Sequence, residues 1–148
     1  MSTPTLHPLL YVYRTRSLLG PERWRWRLLS AGRIVATSGE GYTDRSHTVL
    51  MAAAVVQGLV QGGRVDVYRT RSWLPSQRWA WRYLAGNHLS VAVSGEGYRD
   101  RDHAELIGSS LAAGAYAGAR LVVEGEGERV LPVVAAPLNP GPGTTSWG

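Results

Sequence analysis

Arg23-Trp-Arg-Trp-Arg-Leu-Leu29 alternates arginine with large apolar side chains, and a close copy of it returns as Arg78-Trp-Ala-Trp-Arg82. Alternation of this kind predicts a β-strand with one face in a core, because successive side chains of a strand point to opposite sides of the sheet. Two flanking stretches return in the same order, residues 13–17 as 68–72 and residues 38–42 as 94–98, at offsets of 55 and 56 residues. The chain therefore contains two copies of one supersecondary unit.

Each copy has the pattern of three strands followed by one helix. Apolar side chains at helical spacing predict helices at about residues 44–61 and 100–117, and residues 120–124 are predicted to form a last strand. Three strands and one helix bury too little apolar surface to fold alone, so the copies must share a core. We predict one α+β domain with a single antiparallel sheet, both helices on one face and pseudo-twofold symmetry.

The segment boundaries follow from the repeat and from composition. Residues 1–8 are a lead-in, residues 9–63 are repeat 1, and residues 64–130 are repeat 2, which is fused with repeat 1 into one domain. Residues 131–148 are rich in proline and glycine and are predicted to form a flexible tail. Because the repeat already supplies an internal pseudo-dimer, we expect the protein to be a monomer.

The Arg-Trp-x-Trp-Arg strand, the Ala-Gly hairpin and the Ser-Gly-Glu-Gly-Tyr turn before a helix resemble the YegP-like family, small bacterial domains of uncharacterised function. The matching stretches lie within residues 24–42 and 79–98. The resemblance implies two tandem β(3)-α-β motifs that form one antiparallel sheet, with the last strand of each motif exchanged to the other. It transfers no catalytic residue to this chain.

The charge composition favours an anionic partner. The formal net charge is +5, and all 16 basic residues are arginine. Guanidinium groups bind carboxylates and phosphates through paired hydrogen bonds, so an acidic protein or a nucleic acid fits such a surface. The shortage of residues with A/T-rich codons indicates a high-GC bacterial or phage genome.

Two missing residue types exclude several kinds of chemistry. The absence of lysine rules out Schiff-base catalysis, and the absence of cysteine rules out disulfides, thiolate catalysis and thiolate-held metals. A chain without cysteine fits a cytoplasmic location. No apolar stretch approaches the length of about 18 residues that a membrane span requires, and we expect no membrane partner.

Arginine at alternate strand positions predicts a basic sheet face. If the strand tryptophans lie under the helices, the arginines between them project from the opposite face, and arginines of the neighbouring strands join them. We expect this face to bind an acidic protein as an adaptor or modulator, and nucleic acid is the alternative. A tyrosine or tryptophan on the same face would allow base stacking. The alternative to a binding role is a solvated face whose arginines pair with nearby carboxylates. The predicted contacts are Arg14, Arg16, Arg23, Arg25, Arg27, Arg69, Arg71, Arg78 and Arg82.

The block Gly-Glu-Gly-Tyr-x-Asp-Arg-x-His occurs in both copies and combines residues used in acid/base and metal chemistry. A structural role fits its spacing better. The glycines allow the turn from strand to helix, the tyrosine packs beneath it, and Thr43 or Asp44 caps the first helix. We therefore predict no catalytic residue, no metal and no cofactor, with an enzyme or metal site at these blocks as the distant third possibility. The isolated His7 and His88 are predicted to be surface residues.

Overall fold

In the described part of the chain, eight strands form one sheet, which carries two α-helices. The structure, a computed structural model, describes residues 7–16 and 18–134. The strands follow the order β4-β5-β6-β3-β2-β1-β7-β8 across the sheet. The elements are β1 (Leu9–Thr15), β2 (Arg23–Ser30), β3 (Arg33–Ser38), α1 (Arg45–Val56), β4 (Arg64–Arg69), β5 (Trp79–Leu84), β6 (Ser90–Ser94), α2 (Arg101–Ala112), β7 (Arg120–Val123) and β8 (Gly127–Arg129).

The two copies of the sequence meet in the middle of the sheet. β3 of the first copy pairs antiparallel with β6 of the second, where Thr37 lies opposite Val93. Each copy contributes an antiparallel meander on its own side of this seam, β1-β2-β3 and β4-β5-β6. The predicted α+β fold with one sheet and two helices is confirmed.

The prediction that the sheet is wholly antiparallel is wrong at one edge. After α2 the chain crosses to the far side of the sheet, and β7 enters beside β1 in the same direction, with Leu10 opposite Leu121. The chain then turns back through Gly125 and adds β8, a short strand that the sequence pattern did not predict. A three-residue strand, Gly127-Glu128-Arg129, has too few positions to show an alternation.

The core lies between the helices and one face of the sheet. Trp26 of β2 and Trp81 of β5 are fully buried there, and the two helices contact each other above them. Gly108 of α2 lies so close to the Trp81 ring that a Cβ added to it would approach the indole to 3.0 Å. The small residues of α2 therefore allow the helix to lie directly on this ring.

Both helices end earlier than predicted, at Val56 and at Ala112. Each end has a left-handed glycine, Gly58 with φ of 72° and Gly114 with φ of 80°. In α1 the next amide, that of Leu59, donates a 2.8 Å hydrogen bond back to a carbonyl in the last turn of the helix. This is the Schellman arrangement, which satisfies carbonyls left open at a helix end.

Two residues at the start of the predicted flexible tail contact the domain. Leu131 packs against the core, and the carbonyl of Pro132 accepts a 3.2 Å hydrogen bond from Gln57 Nε2. Residues 135–148 of the predicted tail and residues 1–6 of the predicted lead-in lie outside the described residues. No helix of the described chain is long and apolar enough to cross a membrane.

Replacing a core tryptophan should cost far more stability than replacing an exposed one. Trp26 is fully buried, whereas the side chain of Trp73 is 86% exposed. We expect Trp26→Ala to lower the free energy of unfolding by about 3–5 kcal/mol and Trp73→Ala to change it by less than about 0.5 kcal/mol. Chemical unfolding followed by far-UV circular dichroism measures both, and similar losses in the two variants would contradict the packing.

Candidate functional site

The strand register shows which side chains share the face of the sheet opposite the helices, here called the open face. Across β1 and β2, Tyr11 lies opposite Arg27 and Tyr13 opposite Arg25. The residues between them, such as Val12 and its partner on β2, are buried under the helices. Because side chains alternate along a strand, these two tyrosines lie on the open face together with the arginines of β2. The predicted open-face position of Arg23, Arg25 and Arg27 is confirmed by this register.

Tyr11, Tyr13, Arg25 and Arg27 form what we call the tyrosine–arginine cluster. The two tyrosine rings stack with centroids 5.4 Å apart and planes inclined by 14°. The guanidinium carbon of Arg27 lies 4.9 Å from the centroid of Tyr13 and 5.4 Å from that of Tyr11, within cation–π range. All four residues are half-buried.

The arginines of β2 have no acidic partner in the part of the chain that is described. No carboxylate there lies within ion-pair distance of Arg23, Arg25 or Arg27. Nε of Arg27 is buried and has no hydrogen-bond partner among the described residues. The cluster is therefore a concentration of positive charge that the described residues do not neutralise.

In the second copy, the residues that correspond to the tyrosine–arginine cluster include a carboxylate that neutralises the remaining arginine. Asp66 stands where the first copy has Tyr11, and Ala80 stands where it has Arg25. Asp66 binds the guanidinium of Arg82 at 2.9 Å, and this guanidinium lies 5.1 Å from the ring of Tyr68. Arg82 does lie on the open face as predicted, but with a carboxylate already in contact.

The prediction that Arg14 and Arg69 share the open face is wrong. The register places Arg14 opposite Trp24 and Arg69 opposite Trp79, on the side of the sheet that carries the helices. Each arginine is two residues beyond a core-facing valine, so the alternation of the strand directs it to that side. The Arg14 guanidinium lies 5.7 Å from the Trp24 ring and 3.3 Å from the carboxylate of Glu22.

Three further predicted contacts lie outside the strands. Arg16 follows β1 and its Nε lies 3.6 Å from Glu22, while Arg71 follows β4. Arg78 follows the short 3₁₀ turn Pro75–Gln77. The nine predicted arginines therefore do not form one face. Their role in binding stays a prediction.

The Gly-Glu-Gly-Tyr-x-Asp-Arg-x-His blocks hold the fold together. Tyr42 is fully buried, and its backbone exchanges hydrogen bonds of 2.7 and 2.8 Å with Trp24. Tyr98 is buried in the same way against Trp79. Asp44, one of the two predicted caps, accepts a 3.0 Å hydrogen bond from the backbone N–H of His47. Within residues 7–16 and 18–134, no group of three or more metal-binding side chains comes together.

Burial changes the acidity of the block tyrosines. Burial raises the pKa of Tyr42 well above its usual range, and the negative charge of Glu40 raises it further. Burial also raises the pKa of Tyr98. Both hydroxyls are therefore harder to ionise than an exposed tyrosine, which fits a structural role better than general-base catalysis.

These features define a small α+β domain with a basic cluster on the sheet face opposite the helices. No protein-family model matches the chain, and no curated protein matches it. Two solved structures have a similar fold. The UPF0339 protein SO3888 from Shewanella oneidensis has a TM-score of 0.55 at 16% identity, covering 82% of this chain and 96% of its own. The protein of unknown function yegP from E. coli has a TM-score of 0.50 at 13% identity, covering 80% of this chain and 93% of its own. The predicted resemblance to YegP-like proteins is confirmed at the level of the fold.

Alkaline pH should destabilise the protein through Tyr42. In the unfolded chain this tyrosine ionises near its ordinary pKa of 10.0, whereas burial keeps it protonated in the folded state. Above that pH the unfolded state releases a proton that the folded state retains, so the free energy of unfolding falls as pH rises. Urea unfolding at several pH values across this range should show a smaller alkaline loss for Tyr42→Phe. An equal loss would contradict the assignment to Tyr42.

The two helix caps should differ in their contribution to stability. Asp44 makes a side-chain capping hydrogen bond, whereas Asp100, at the same place in the second copy, makes none. We expect Asp44→Ala to lower the free energy of unfolding by about 1 kcal/mol and Asp100→Ala to lower it by less than about half of that. Thermal and urea unfolding of the two variants test this, and equal losses would show that the hydrogen bond contributes nothing.

Proposed function

We propose that this protein is a non-enzymatic interaction module that binds an acidic segment of a partner protein at the open face. The observation that carries the proposal is the tyrosine–arginine cluster, in which Arg25 and Arg27 have no carboxylate within reach among the described residues. The Arg27 guanidinium is held against two aromatic rings and is already ordered, so it loses little further freedom when a carboxylate binds it.

The spacing of the cluster favours an extended acidic segment. Arg23, Arg25 and Arg27 are alternate residues of one strand, so their side chains repeat at about 6.6–6.8 Å. Alternate side chains of an extended peptide repeat at the same distance, which lets successive glutamates meet successive arginines. The Arg27 guanidinium also lies over the ring faces of both tyrosines, the surfaces that a base would need for stacking.

Nucleic acid is the second candidate, and one observation favours it. Tyr11 and Tyr13 lie on the same face as the arginines of β2, which is the combination that single-strand binders use. If Arg27 moves off the rings when a ligand arrives, a base could take its place. The relative affinities for an acidic peptide and for a single-stranded oligonucleotide separate the two candidates.

The remaining features belong to the same proposal. We propose that the chain is a tandem of β(3)-α-β motifs with its last strand exchanged, since β7 pairs with β1 of the other copy. We also propose a bacterial or phage cytoplasmic protein, monomeric, without cofactor or catalytic residue. The structural use of the Gly-Glu-Gly-Tyr-x-Asp-Arg-x-His blocks supports the last point.

Reversing one charge of the cluster should weaken binding of an acidic probe. The probes are a fluorescein-labelled peptide of alternating glutamate and threonine and a single-stranded oligonucleotide of equal charge, each followed by anisotropy at low and physiological salt. We expect the peptide to bind more tightly at both salt concentrations, and Arg25→Glu to weaken it by about tenfold or more.

Arg99→Glu is the matched control, because it makes the same charge change at an exposed residue beside the N-terminus of α2. Peptide affinity in this variant should stay within about twofold of the unmodified protein, and equal weakening would show a mere effect of net charge. Tighter binding of the oligonucleotide, with log affinity falling by about 0.7 per phosphate for each log unit of salt, would establish the second candidate. Unchanged binding of both probes by an Arg25→Glu, Arg27→Glu double variant would exclude both.

A further inference from the structure

The first strands of the two copies have different numbers of neighbouring strands in the sheet. β1 and β4 occupy equivalent positions in the repeat, because residues 13–17 return as residues 68–72. β1 lies between β2 and β7, whereas β4 is the last strand at its edge of the sheet. The place beside β4 that corresponds to β7 is filled by no described residue. The first copy therefore shows what kind of strand fits the second.

On the first copy, β7 and the turn after it, which carries Glu124 and Glu126, bind β1 through both backbone and side chains. The amide of Arg120 donates to the carbonyl of Pro8 at 2.9 Å, and the amide of Glu124 donates to that of Val12 at 2.8 Å. The carboxylate of Glu124 then accepts the backbone N–H of Arg14 at 2.9 Å.

Two residues further on, a second carboxylate binds the neighbouring helix. Glu126 forms a 3.0 Å ion pair with Arg45 at the start of α1. The guanidinium of Arg45 lies 5.9 Å from the ring of Trp24, which also contacts Arg14. The strand β7 with the turn after it therefore places two carboxylates on this group of two arginines and one tryptophan.

The corresponding backbone groups of β4 point outward. The amide of Thr70 donates to Arg78 on the β5 side at 2.8 Å. Backbone groups of successive residues point to opposite edges of a strand, so those of Val65, Val67 and Arg69 point away from β5. The two valines are only half-buried, whereas their counterparts Leu10 and Val12, which β7 covers, are fully buried.

The corresponding side chains carry positive charge. Arg69, Arg71 and Arg101 stand where the first copy has Arg14, Arg16 and Arg45. Among the described carboxylates, none lies within ion-pair distance of Arg69 or Arg71, and Arg101 has only a half-exposed pairing with Glu105 in its own helix. Exposed pairs of that kind contribute little to stability, so Arg101 is available to a second carboxylate.

We propose that the free edge of β4 binds an extended acidic segment of a partner protein by strand addition. The segment runs parallel to β4 as β7 runs parallel to β1, and it has apolar residues followed by two carboxylates with one residue between them. The first carboxylate accepts the N–H of Arg69, and the second binds Arg101. The chain's own Leu121-Val-Val-Glu-Gly-Glu126 is the template for such a ligand.

The positive charge of the β4 edge favours an acidic segment of a partner over two other occupants, namely residues 135–148 of this chain and a second copy of it. Residues 135–148 of the chain contain no aspartate or glutamate and include Pro137, Pro140 and Pro142, so they cannot supply the carboxylates. A second copy paired through its own β4 would bring arginine-bearing edges together. Charged residues commonly protect edge strands from such pairing. Arginines on this edge oppose self-association and admit a segment of opposite charge.

A synthetic peptide with the sequence of residues 119–129 tests the proposal on the full-length protein. Labelled with fluorescein, it should bind in an anisotropy titration, and Arg69→Glu should weaken binding by about tenfold or more. A peptide with Glu124→Gln and Glu126→Gln should weaken similarly. Arg99→Glu is the control of equal charge change. Arg25→Glu, which removes a contact of the open face, should weaken binding of this peptide less than Arg69→Glu does, which separates this site from the open face.

Amide hydrogen exchange locates the peptide. Bound peptide should slow the exchange of Val65, Val67 and Arg69, whose N–H groups have no partner strand. Val67→Pro removes one outward-pointing donor, and Arg69→Glu, at an exposed position, serves if the proline variant does not fold. Absence of binding at millimolar peptide, protection on β1 instead of β4, or equal weakening by Arg99→Glu and Arg69→Glu would overturn the proposal. Protection on β1 would mean that the peptide displaces β7.

Discussion

The backbone pairing of β3 with β6 is the contact on which the rest of the structure depends. It joins the two meanders into one sheet, so that Trp26 of the first copy and Trp81 of the second share one core. The chain on each side of this seam is tightly fitted. A Cβ at Gly39 would collide with the backbone of Ser90, and one at Gly95 would collide with Ile34. These reciprocal close approaches explain why glycine follows the last strand of each meander in both copies.

The two copies share the same strand arrangement but differ in the charges on the open face. Exchanging Tyr11 for aspartate and Arg25 for alanine is enough to turn a positive aromatic cluster into an ion pair between Asp66 and Arg82. Neither change alters the strand register, because both positions face away from the core. The open face can therefore diverge between copies at little cost to stability, whereas the buried tryptophans cannot.

The sequence predicted the strands and the core better than the arginine positions. Alternation around Trp26 and Trp81 identified the buried face correctly, because a strand has one period and a large aromatic side chain has one favourable side. The helix ends were missed because the apolar pattern continues past Gly58 and because Gly114 lies within a run of small residues, so each glycine is easily taken for part of the helix. Arg14 was assigned to the open face, although the alternation of β1 places it on the same side of the strand as Val12. The pairing of β7 with β1 joins residues far apart in sequence, and no local pattern contains it.

The unequal edges follow from how the copies are connected. β4 begins eight residues after the end of α1, and β7 begins eight residues after the end of α2. The strand after the first helix is β4, which is also the first strand of the second copy. The position equivalent to that of β7 beside β1 would place β4 beside itself, so no described residue fills it. Within residues 120–148, the strand after the second helix starts no third copy, and it pairs with β1. A chain with two such units therefore covers one outer strand from its own sequence and leaves the other uncovered.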